Sequence, residues 1–159
     1  MTISTRLNEY LEENNIHYQT VPHFHSTGSI GSAVASSVPA KKVAKAVVLS
    51  DRQGHKMMAV LPADKKISFS VLNEKFNTRY QLLHEEDIYD MFADCDDGAV
   101  PAAGGAYEMA MVCEQLLDIL DEVYIEAGDH ETLLRLDSQA FKTIMADAKH
   151  IRFGKEMYH

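Results

Sequence analysis

The sequence predicts a single domain of mixed α/β class with mostly antiparallel strands. A chain of 159 residues, 46% of them hydrophobic, is long enough to bury one sizeable core. Short strand-like and helix-like patterns follow one another without the strict alternation that is typical of a parallel sheet, which favours a mixed arrangement. No repeat, low-complexity tract or interdomain linker interrupts the chain, so we treat residues 1–159 as one domain.

In the first half of the chain, hydrophobic periodicity and turn residues locate the elements. We expect an amphipathic helix over 4–14, a strand over 16–23, a Ser/Gly-rich loop over 25–32 and a weak helix over 33–37. A hairpin of two strands follows, over 43–49 and 56–62, and its turn contains Gly54. This hairpin is the clearest local unit in the chain.

The second half also mixes helical and strand periodicity. The predicted elements are a helix over 68–76 capped by Ser68, a strand over 80–83, a helix over 84–92, a loop over 94–105, a strand over 107–113, strands over 122–126 and 132–136, and a helix over 138–145. The polar stretch over 148–159 is predicted to be a tail or an edge segment.

Lys45 is the most unusual residue of the predicted hairpin. It interrupts the apolar run over 43–49, and strand alternation places its side chain on the same face as Val43, Val47 and Leu49. An ammonium group among aliphatic side chains is costly unless it snorkels to solvent, is paired, or is kept for chemistry. Lys45 is therefore the first candidate functional residue.

The charged residues are unevenly distributed along a chain whose net charge is −9. Nine of the fifteen Lys and Arg residues fall between Lys41 and Arg79, whereas residues 80–131 contain fifteen Asp and Glu and no Lys or Arg. The overall charge argues against a general nucleic-acid binder, DNA included, although a local basic patch is compatible with it. On charge alone, two solvated faces are the favoured interpretation.

The composition also indicates a compartment. No apolar stretch has the length of a membrane span, and the first nine residues do not resemble a signal peptide. We therefore expect a cytoplasmic protein with no membrane partner. Cys95 and Cys113 are expected to be free thiols, as in a reducing compartment.

The loop over 94–105 is the second candidate site. An EF-hand calcium loop that began at Asp94 would need glycine at position 99 and glutamate at position 105, where the chain has Ala99 and Gly105. A phosphate-binding loop is excluded because neither Lys nor Ser/Thr follows the glycines. Two interpretations remain: a small-residue loop that lets a substrate approach the backbone, or a plain connection. The residues alone favour the connection.

The other candidate residues indicate no metal or serine-hydrolase site. His23 and His25 would share one face of a strand, but no third ligand stands at a recognisable spacing, so we expect no metal and no other cofactor. Ser26 and Thr27 precede a glycine without forming a nucleophile elbow. His130, in a Gly-Asp-His turn, is either an exposed loop residue or a site residue.

Three segments become informative when they are taken together. They are Ala44-Lys45-Ala46-Val47-Val48-Leu49, Gly98-Ala99-Val100-Pro101-Ala102-Ala103-Gly104 and Val123-Tyr124-Ile125-Glu126-Ala127-Gly128. They resemble, in that order, the single-lysine strand, the glycine-x-x-proline-x-x-glycine loop and the late strand of the YbaK/ProX family of aminoacyl-tRNA deacylases. This family is related to the editing domain of bacterial prolyl-tRNA synthetase. The resemblance covers about residues 20–146.

The resemblance implies a fold and an activity. The implied fold is a curved mixed sheet or open barrel flanked by helices. The implied activity is cofactor-independent hydrolysis of the ester that joins a wrongly attached amino acid to the 3′-terminal adenosine of a tRNA. Assistance by the ribose hydroxyl of the substrate is the usual proposal for the family, and it would explain why this chain has no nucleophile–base pair.

The resemblance also implies site residues. Lys45 takes the role of the catalytic lysine, which is thought to orient the terminal adenosine. The implied substrate-binding residues are Gly98, Ala99, Val100, Pro101, Ala102 and Gly104, with Ser26, Thr27, Gly128 and His130 beside them. Within the basic block, the residues expected to meet tRNA phosphates are Lys41, Lys42, Lys65 and Lys66. The chain departs from the family pattern at Ala46, where some members carry asparagine, and at Ala102-Ala103, where bulkier residues are frequent.

The implied partners are a mischarged aminoacyl-tRNA and an aminoacyl-tRNA synthetase that presents it. Two alternatives stay open at this point. Instead of a deacylase, the chain could be a non-catalytic module that binds tRNA ends or small aminoacyl ligands. It could also be an esterase that acts on small aminoacyl esters.

Overall fold

The computed structural model describes residues 3–157. Met1, Thr2, Tyr158 and His159 lie outside the described residues. The first two belong to the start that was expected not to be a signal peptide, and the last two end the predicted tail or edge segment.

Five α-helices and ten strands occur within the described range. The helices are α1 (Thr5–Glu13), α2 (Ser29–Ser36), α3 (Phe69–Phe76), α4 (Glu85–Met91) and α5 (Ser138–Ile144). The strands are β1 (Gln19–Pro22), β2 (Val43–Ser50), β3 (Lys56–Pro62), β4 (Lys65–Ile67), β5 (Gln81–Leu82), β6 (Ala110–Glu114), β7 (Glu122–Glu126), β8 (Thr132–Asp137), β9 (Lys149–Ile151) and β10 (Gly154–Glu156).

Eight strands form one mixed sheet, and β4 and β10 form a separate antiparallel pair. The order across the sheet is β1-β8-β7-β2-β3-β6-β9, with β5 added beside β2. Antiparallel pairing dominates, as predicted, but β2–β7, β3–β6 and β6–β9 are parallel. The predicted fold class, a mixed sheet flanked by helices, is confirmed.

Helices cover both faces of the sheet around β2. On one face, Ala44 and Val48 pack into the main core, to which α1 and α5 contribute. On the other face, Val43 packs beneath α2 and Leu49 packs beneath α3. Because side chains alternate along a strand, Lys45 belongs to this second face, as the sequence predicts.

β2 is paired along its whole length on one side only. β3 pairs with residues 44–50, whereas β7 pairs only with Val43 and Ala44, and β5 only with Leu49 and Ser50. Among the described strands, residues 45–48 have no ladder partner on that second side, although Val48 O accepts a 3.1 Å hydrogen bond from Leu83 N–H. The sheet therefore opens between β7 and β5, and this opening positions the candidate site.

The start of α2 corrects the predicted loop over 25–32. The helix begins at Ser29, immediately after Gly28, and it buries Ser32 and Ala33 completely or nearly so. Serine and glycine are weak helix formers, so local propensity favours a loop here. Packing of the helix against the sheet overrides that preference.

Two further expectations fail in detail. Ser68 precedes α3 as predicted, but its hydroxyl lies 3.2 Å from Ser70 Oγ and makes no capping hydrogen bond to the helix. The strand predicted to begin at residue 107 begins at Ala110, because residues 104–107 form a 3-10 helix.

The polar C-terminal stretch is an edge segment, as predicted, because β9 adds to the edge of the sheet beside β6. Both cysteines are free thiols, also as predicted. Burial raises the pKa of Cys95 to about 11 and raises that of Cys113 further. Both thiols therefore stay protonated and weakly nucleophilic at neutral pH. No helix in the described range is long and apolar enough to cross a membrane.

Candidate functional site

A cleft of about 440 Å³ lies at the opening in the sheet. Ala46, Val47 and Val48 of β2 all line it. Three consecutive strand residues cannot point their side chains into one space, so the unpaired edge of β2 itself faces the cleft. The remaining walls come from the β5–α4 region, from residues 98–104, which we call the glycine-proline loop, from Asp97 before this loop and from Thr27 before α2. They are lined by Leu82, Leu83, Glu85, Ile88, Tyr89, Asp97, Gly98, Val100 and Thr27.

The glycine-proline loop turns one side to the core and the other to the cleft. Ala99 and Ala102 are completely buried, and Pro101 is buried beside them. Gly98 is exposed and Val100 is half-buried, and both line the cleft. Of the six loop residues expected to contact a substrate, only these two therefore reach the cleft.

The loop offers free hydrogen-bond donors at this point. Ala99 N–H closes a turn onto Asp96 O at 3.0 Å, and Asp96 N–H donates to Gly128 O at 2.7 Å. Among the described residues, no protein acceptor takes the N–H groups of Gly98 and Val100. Unused backbone N–H groups beside a cleft are suited to bind an oxygen on which negative charge develops.

Gly98 has a positive φ of +80°, and a Cβ atom there would lie 3.6 Å from the His130 ring. We expect Gly98→Ala to cost about 1 kcal/mol of stability, because L side chains are strained in this region. We also expect it to slow the ester hydrolysis implied by the sequence resemblance about 10-fold, because relieving the strain would rotate the Gly98 N–H and remove about one hydrogen bond from the cleft. Both are measurable by thermal unfolding and by the rate of ester hydrolysis.

Gly54 provides the matched control for this prediction. Its φ is +84°, no atom lies within 4 Å of the position that a Cβ would occupy, and it belongs to the β2–β3 turn. Gly54→Ala should show a similar loss of stability and an unchanged rate. Equal rates of ester hydrolysis for Gly98→Ala and Gly54→Ala would show that the Gly98 N–H takes no part in the site.

Gly104 and Gly128 allow close packing on the side of the glycine-proline loop that faces away from the cleft. A Cβ on Gly104 would lie 2.5 Å from Met111 Cγ and 2.6 Å from Met109 O, so only glycine fits there. Gly128 has φ +117° and lies against Ser4 and Cys95. Both residues therefore support the site by packing, and neither lines the cleft.

A second cavity of about 370 Å³ adjoins the first and shares Thr27 and Asp97 with it. Its other walls are His25, Cys95, Asp96 and His130, so it is the more polar of the two. His130 is only 4% exposed, and its Nε2–H donates to the carbonyl of Asp97. Its ring also makes an edge contact with His25, with centroids 5.7 Å apart. His130 is thus a buried wall residue of this cavity and not an exposed turn residue.

A buried carboxyl group, which the sequence reasoning missed, lies behind this cavity. Glu126 is 3% exposed, and its Oε1 accepts a 2.5 Å hydrogen bond from Ser32 Oγ, which in turn lies 2.7 Å from Ser26 Oγ. Ser26 N–H donates to His130 O at 3.1 Å, which joins this cluster to the second cavity. Burial raises the pKa of Glu126, while the Ser32 hydrogen bond and the charges of His130 and His23 oppose that rise. A charge within an apolar strand, the signal that marks Lys45, is also present at Glu126.

Lys45 borders the opening but does not line the cleft. Its half-buried ammonium group donates to Ala63 O at 3.3 Å, which leaves two of its three N–H donors unused. Burial lowers the pKa of Lys45 from 10.5, and the nearby Asp64 carboxylate opposes the shift. Lys45 and Glu126 are the next residues beyond the last β2–β7 ladder pair, Ala44 with Ile125, so they flank the point where the strands separate.

The four lysines expected to contact tRNA fall into two groups. Lys42 lies 3.5 Å from Glu122, and Lys65 lies 3.1 Å from Glu156. Lys41 and Lys66 are exposed and make no ion pair with a described residue. The fold adds two cations that are distant in sequence, because Arg152 and Lys155 line a surface cavity together with Lys41 and Lys65.

Within residues 3–157, the potential metal ligands converge elsewhere. Cys113, Asp118 and His150 bring one ligand atom each within 4.8 Å of the others, on the β6–β9 side of the sheet. His150 Nδ1 there lies 2.8 Å from Asp118 Oδ2. His23 and His25, the pair considered from the sequence, belong to no such group in this part of the chain.

Comparison with protein families matches residues 29–144 to the aminoacyl-tRNA editing domain. The chain belongs to this family. The matched range contains Lys45, the glycine-proline loop, Glu126 and His130, and the relationship predicted from the sequence segments is confirmed. No curated protein sequence matches this editing domain.

Solved structures with very different sequences share the fold of this editing domain. A candidate trans-editing enzyme for prolyl-tRNA synthetase aligns over 96% of this chain and 96% of its own, with a TM-score of 0.82 and 16% identity. A hypothetical protein, APE2540, aligns over 94% of this chain and 99% of its own, with a TM-score of 0.82 and 15% identity. A candidate signal transduction protein from Marinobacter aquaeolei aligns over 98% of this chain but 31% of its own, with a TM-score of 0.80 and 16% identity.

Proposed function

We propose that this editing domain hydrolyses the ester bond of a mischarged aminoacyl-tRNA and acts in trans. The observation that carries the proposal is the pair of unused N–H groups, on Gly98 and Val100, beside a cleft in a member of the editing family. Ester hydrolysis passes through a tetrahedral state whose oxyanion needs such donors. The two adjoining cavities offer separate space for the terminal adenosine and for the aminoacyl group.

The reaction needs a water molecule and a route for its proton. The water oxygen bonds to the ester carbon, the bond from that carbon to the ribose oxygen breaks, and the ribose oxygen takes a proton. The Cys95 and Cys113 thiols are protonated, and the buried Nδ1 of His130 has no hydrogen-bond partner among the described residues, so these three residues form no nucleophile–base pair. We propose that the neighbouring ribose hydroxyl of the substrate positions the water and relays the proton.

Lys45 supplies positive charge at the mouth of the opening. Its two unused N–H donors are suited to hold oxygen atoms of the terminal ribose or phosphate. Ser26 and Thr27 are suited to contact the aminoacyl end, because Thr27 lines both cavities and Ser26 is bonded to His130. Gly128 supports this end from behind through its contact with Cys95.

The tRNA acceptor stem is proposed to lie on a basic surface formed by Lys41, Lys65, Lys66, Arg152 and Lys155. Lys66 and Lys155 are directly opposite each other in the β4–β10 pair, and the other three line one surface cavity. Cations of this kind bind phosphates without reading sequence. Since the net charge is −9, we expect weak affinity for tRNA alone and presentation of the substrate by a synthetase.

A deacylation assay across a panel of matched and mischarged aminoacyl-tRNAs tests the proposal. We expect hydrolysis of at least one mischarged species and much slower hydrolysis of the correctly charged species. Binding of aminoacyl-tRNA without turnover would instead indicate a non-catalytic module. Turnover of small aminoacyl esters that is unaffected by the tRNA would indicate a general esterase.

A further inference from the structure

Three side chains with metal-binding chemistry converge at one edge of the sheet, where β9 pairs with β6. Cys113 in β6 and His150 in β9 are directly opposite each other in the parallel register, so their side chains share one face of the sheet. Asp118 joins them from the end of the 3-10 helix Gln115–Leu117. Each of the three brings a ligand atom within 4.8 Å of the other two, and residues 3–157 contain no second group of this kind.

The distances around Asp118 are close to those of a tetrahedral zinc site. Asp118 Oδ1 lies 3.8 Å from Cys113 Sγ and 3.0 Å from His150 Nδ1. Zinc bonds of about 2.0 Å to oxygen and nitrogen and about 2.3 Å to sulfur give tetrahedral edges of roughly 3.5 Å for S–O and 3.3 Å for N–O. The sulfur and the nitrogen, which lie within 4.8 Å of each other, need to approach to roughly 3.6 Å. Side-chain rotation at the sheet edge is sufficient for these shifts.

The surroundings of His150 determine which ring nitrogen is available to an ion. Met145 O can only accept a hydrogen bond, so His150 Nε2, 3.0 Å away, carries the hydrogen. The lone pair of the neutral ring is therefore on Nδ1, the nitrogen that faces Asp118. A ring N–H that donates to a backbone carbonyl is the arrangement that orients histidine ligands in metal sites. Gln115 Nε2–H also donates to His150 O at 3.1 Å, which holds the main chain of β9 in place.

The ligand types and their exposure indicate which ion fits and how it enters. A thiolate, an imidazole and one carboxylate are ligands of zinc, whereas calcium and magnesium prefer sites built from oxygen. Cys113 is completely buried, but the side chains of His150 and Asp118 are 35% and 29% exposed, so an ion has access from solvent. Three protein ligands leave one tetrahedral position for a water molecule on that exposed side.

We propose that Cys113, Asp118 and His150 bind one Zn²⁺ ion that fastens β9 to β6. The Cys113 thiol bonds to the ion as a thiolate and releases its proton to solvent, and the two charges of the ion balance the thiolate and the carboxylate. None of the three residues lines either cavity of the candidate site, and β3 separates β6 from β2 in the sheet. The ion therefore stabilises the C-terminal edge of the domain, and the proposal does not depend on the proposed function.

Titration of the full, untagged chain with Co²⁺ and then with Zn²⁺ tests the site, in a buffer whose reductant is a phosphine and not a thiol. Co²⁺ bound to a thiolate gives a sulfur-to-cobalt charge-transfer band in the near ultraviolet, which reports a cysteine ligand directly. We expect one equivalent of Co²⁺ to produce this band and Zn²⁺ to abolish it. Zinc at about 100 times its dissociation constant should raise the melting temperature by about 5 °C. Amide hydrogen exchange should become slower at residues 149–151.

Variants of the three ligands show whether the site is the one proposed. Cys113→Ser should abolish the charge-transfer band. His150→Gln and Asp118→Asn should each weaken zinc binding by about 10-fold or more, since even changes outside the ligand set cost about that much. Both of these residues are partly exposed, so their variants keep the test decisive if Cys113→Ser does not fold.

The chain also contains partial copies of the site, which serve as matched controls. His55 Nδ1 lies 3.1 Å from Asp51 Oδ2 with no thiol among its described contacts, and Cys95 Sγ lies 3.6 Å from Asp94 Oδ1. His55→Gln and Cys95→Ser should therefore leave the band, the stoichiometry and the affinity unchanged.

Three results would overturn the zinc site. The first is the absence of a thiolate band from the folded wild type. The second is zinc affinity that survives both His150→Gln and Asp118→Asn, which would leave His150 and Asp118 as a hydrogen-bonded pair only. The third is loss of the band in Cys95→Ser, which would place the ion at the other thiol.

Discussion

Lys45→Ala is expected to lower the rate of aminoacyl-tRNA deacylation about 100-fold or more, since loss of one positioned donor to the reacting group typically costs that much. The physical reason is the position of the ammonium group, which borders the opening in the sheet with two donors unused. Single-turnover hydrolysis of the best substrate from the tRNA panel measures the effect. Full activity of Lys45→Ala on every substrate would refute the assignment.

The loss should not come from unfolding. Burial lowers the pKa of Lys45, so the half-buried ammonium group costs the fold free energy. Lys45→Met keeps the aliphatic stem and removes the charge, and we expect it to be at least as stable as the wild type and equally inactive. Lys142→Ala, an exposed cation on α5, should keep both stability and rate.

The same shift predicts a pH dependence of stability. Between the lowered pKa of the folded state and 10.5, the unfolded chain binds more protons at Lys45 than the folded chain does. The free energy of unfolding of the wild type therefore rises with pH across this window relative to that of Lys45→Met. The difference in stability between these two proteins narrows accordingly. Urea unfolding at a series of alkaline pH values measures it. A difference that stays constant would contradict the buried state of the ammonium group.

Glu114→Ala is expected to lower the free energy of unfolding by about 3 kcal/mol, in the range for breaking a buried ion pair. Glu114 is completely buried and accepts hydrogen bonds from the backbone N–H groups of Phe153, Gly154 and Leu116. It also pairs with Arg152 Nε at 3.1 Å. Alanine would leave those donors unsatisfied and release the C-terminal segment from β6.

Urea denaturation measures the loss, and amide hydrogen exchange locates it. Protection should fall first at residues 149–157, which Glu114 ties to the sheet. Glu156→Ala is the matched control, since Glu156 is exposed and its one ion pair among the described residues is with Lys65, and such pairs are worth little. A loss below about 1 kcal/mol for Glu114→Ala would show that water satisfies these groups.

Much of the fold could be predicted from local pattern. The β2–β3 hairpin and helices α1, α3 and α5 follow from hydrophobic periodicity, because each buries one stripe or face, and α4 follows from a stripe that is only partly buried. The start of α2 could not be predicted, since its serines and glycine favour a loop until packing on the sheet stabilises the helix. The three parallel pairings likewise depend on contacts between segments distant in sequence.

The candidate site was only partly predictable. Lys45 was found because a charge in an apolar strand is costly wherever that strand packs. Glu126 carries the same signal in β7, but its importance depends on Ser32 and His130, which only the fold brings to it. The sequence also implied one continuous substrate-binding loop, whereas burial divides it into supporting residues and the cleft-lining Gly98 and Val100.

The sequence by itself determined the mixed α/β class, the family and the two segments that carry the candidate chemistry, because these depend on residue type and spacing along the chain. The tertiary structure decided where those segments meet. β2 leaves β7 after Ala44, and the unpaired edge that results becomes the wall of a cleft. Strand separation is a property of two segments about 80 residues apart, so no local pattern in either segment encodes it.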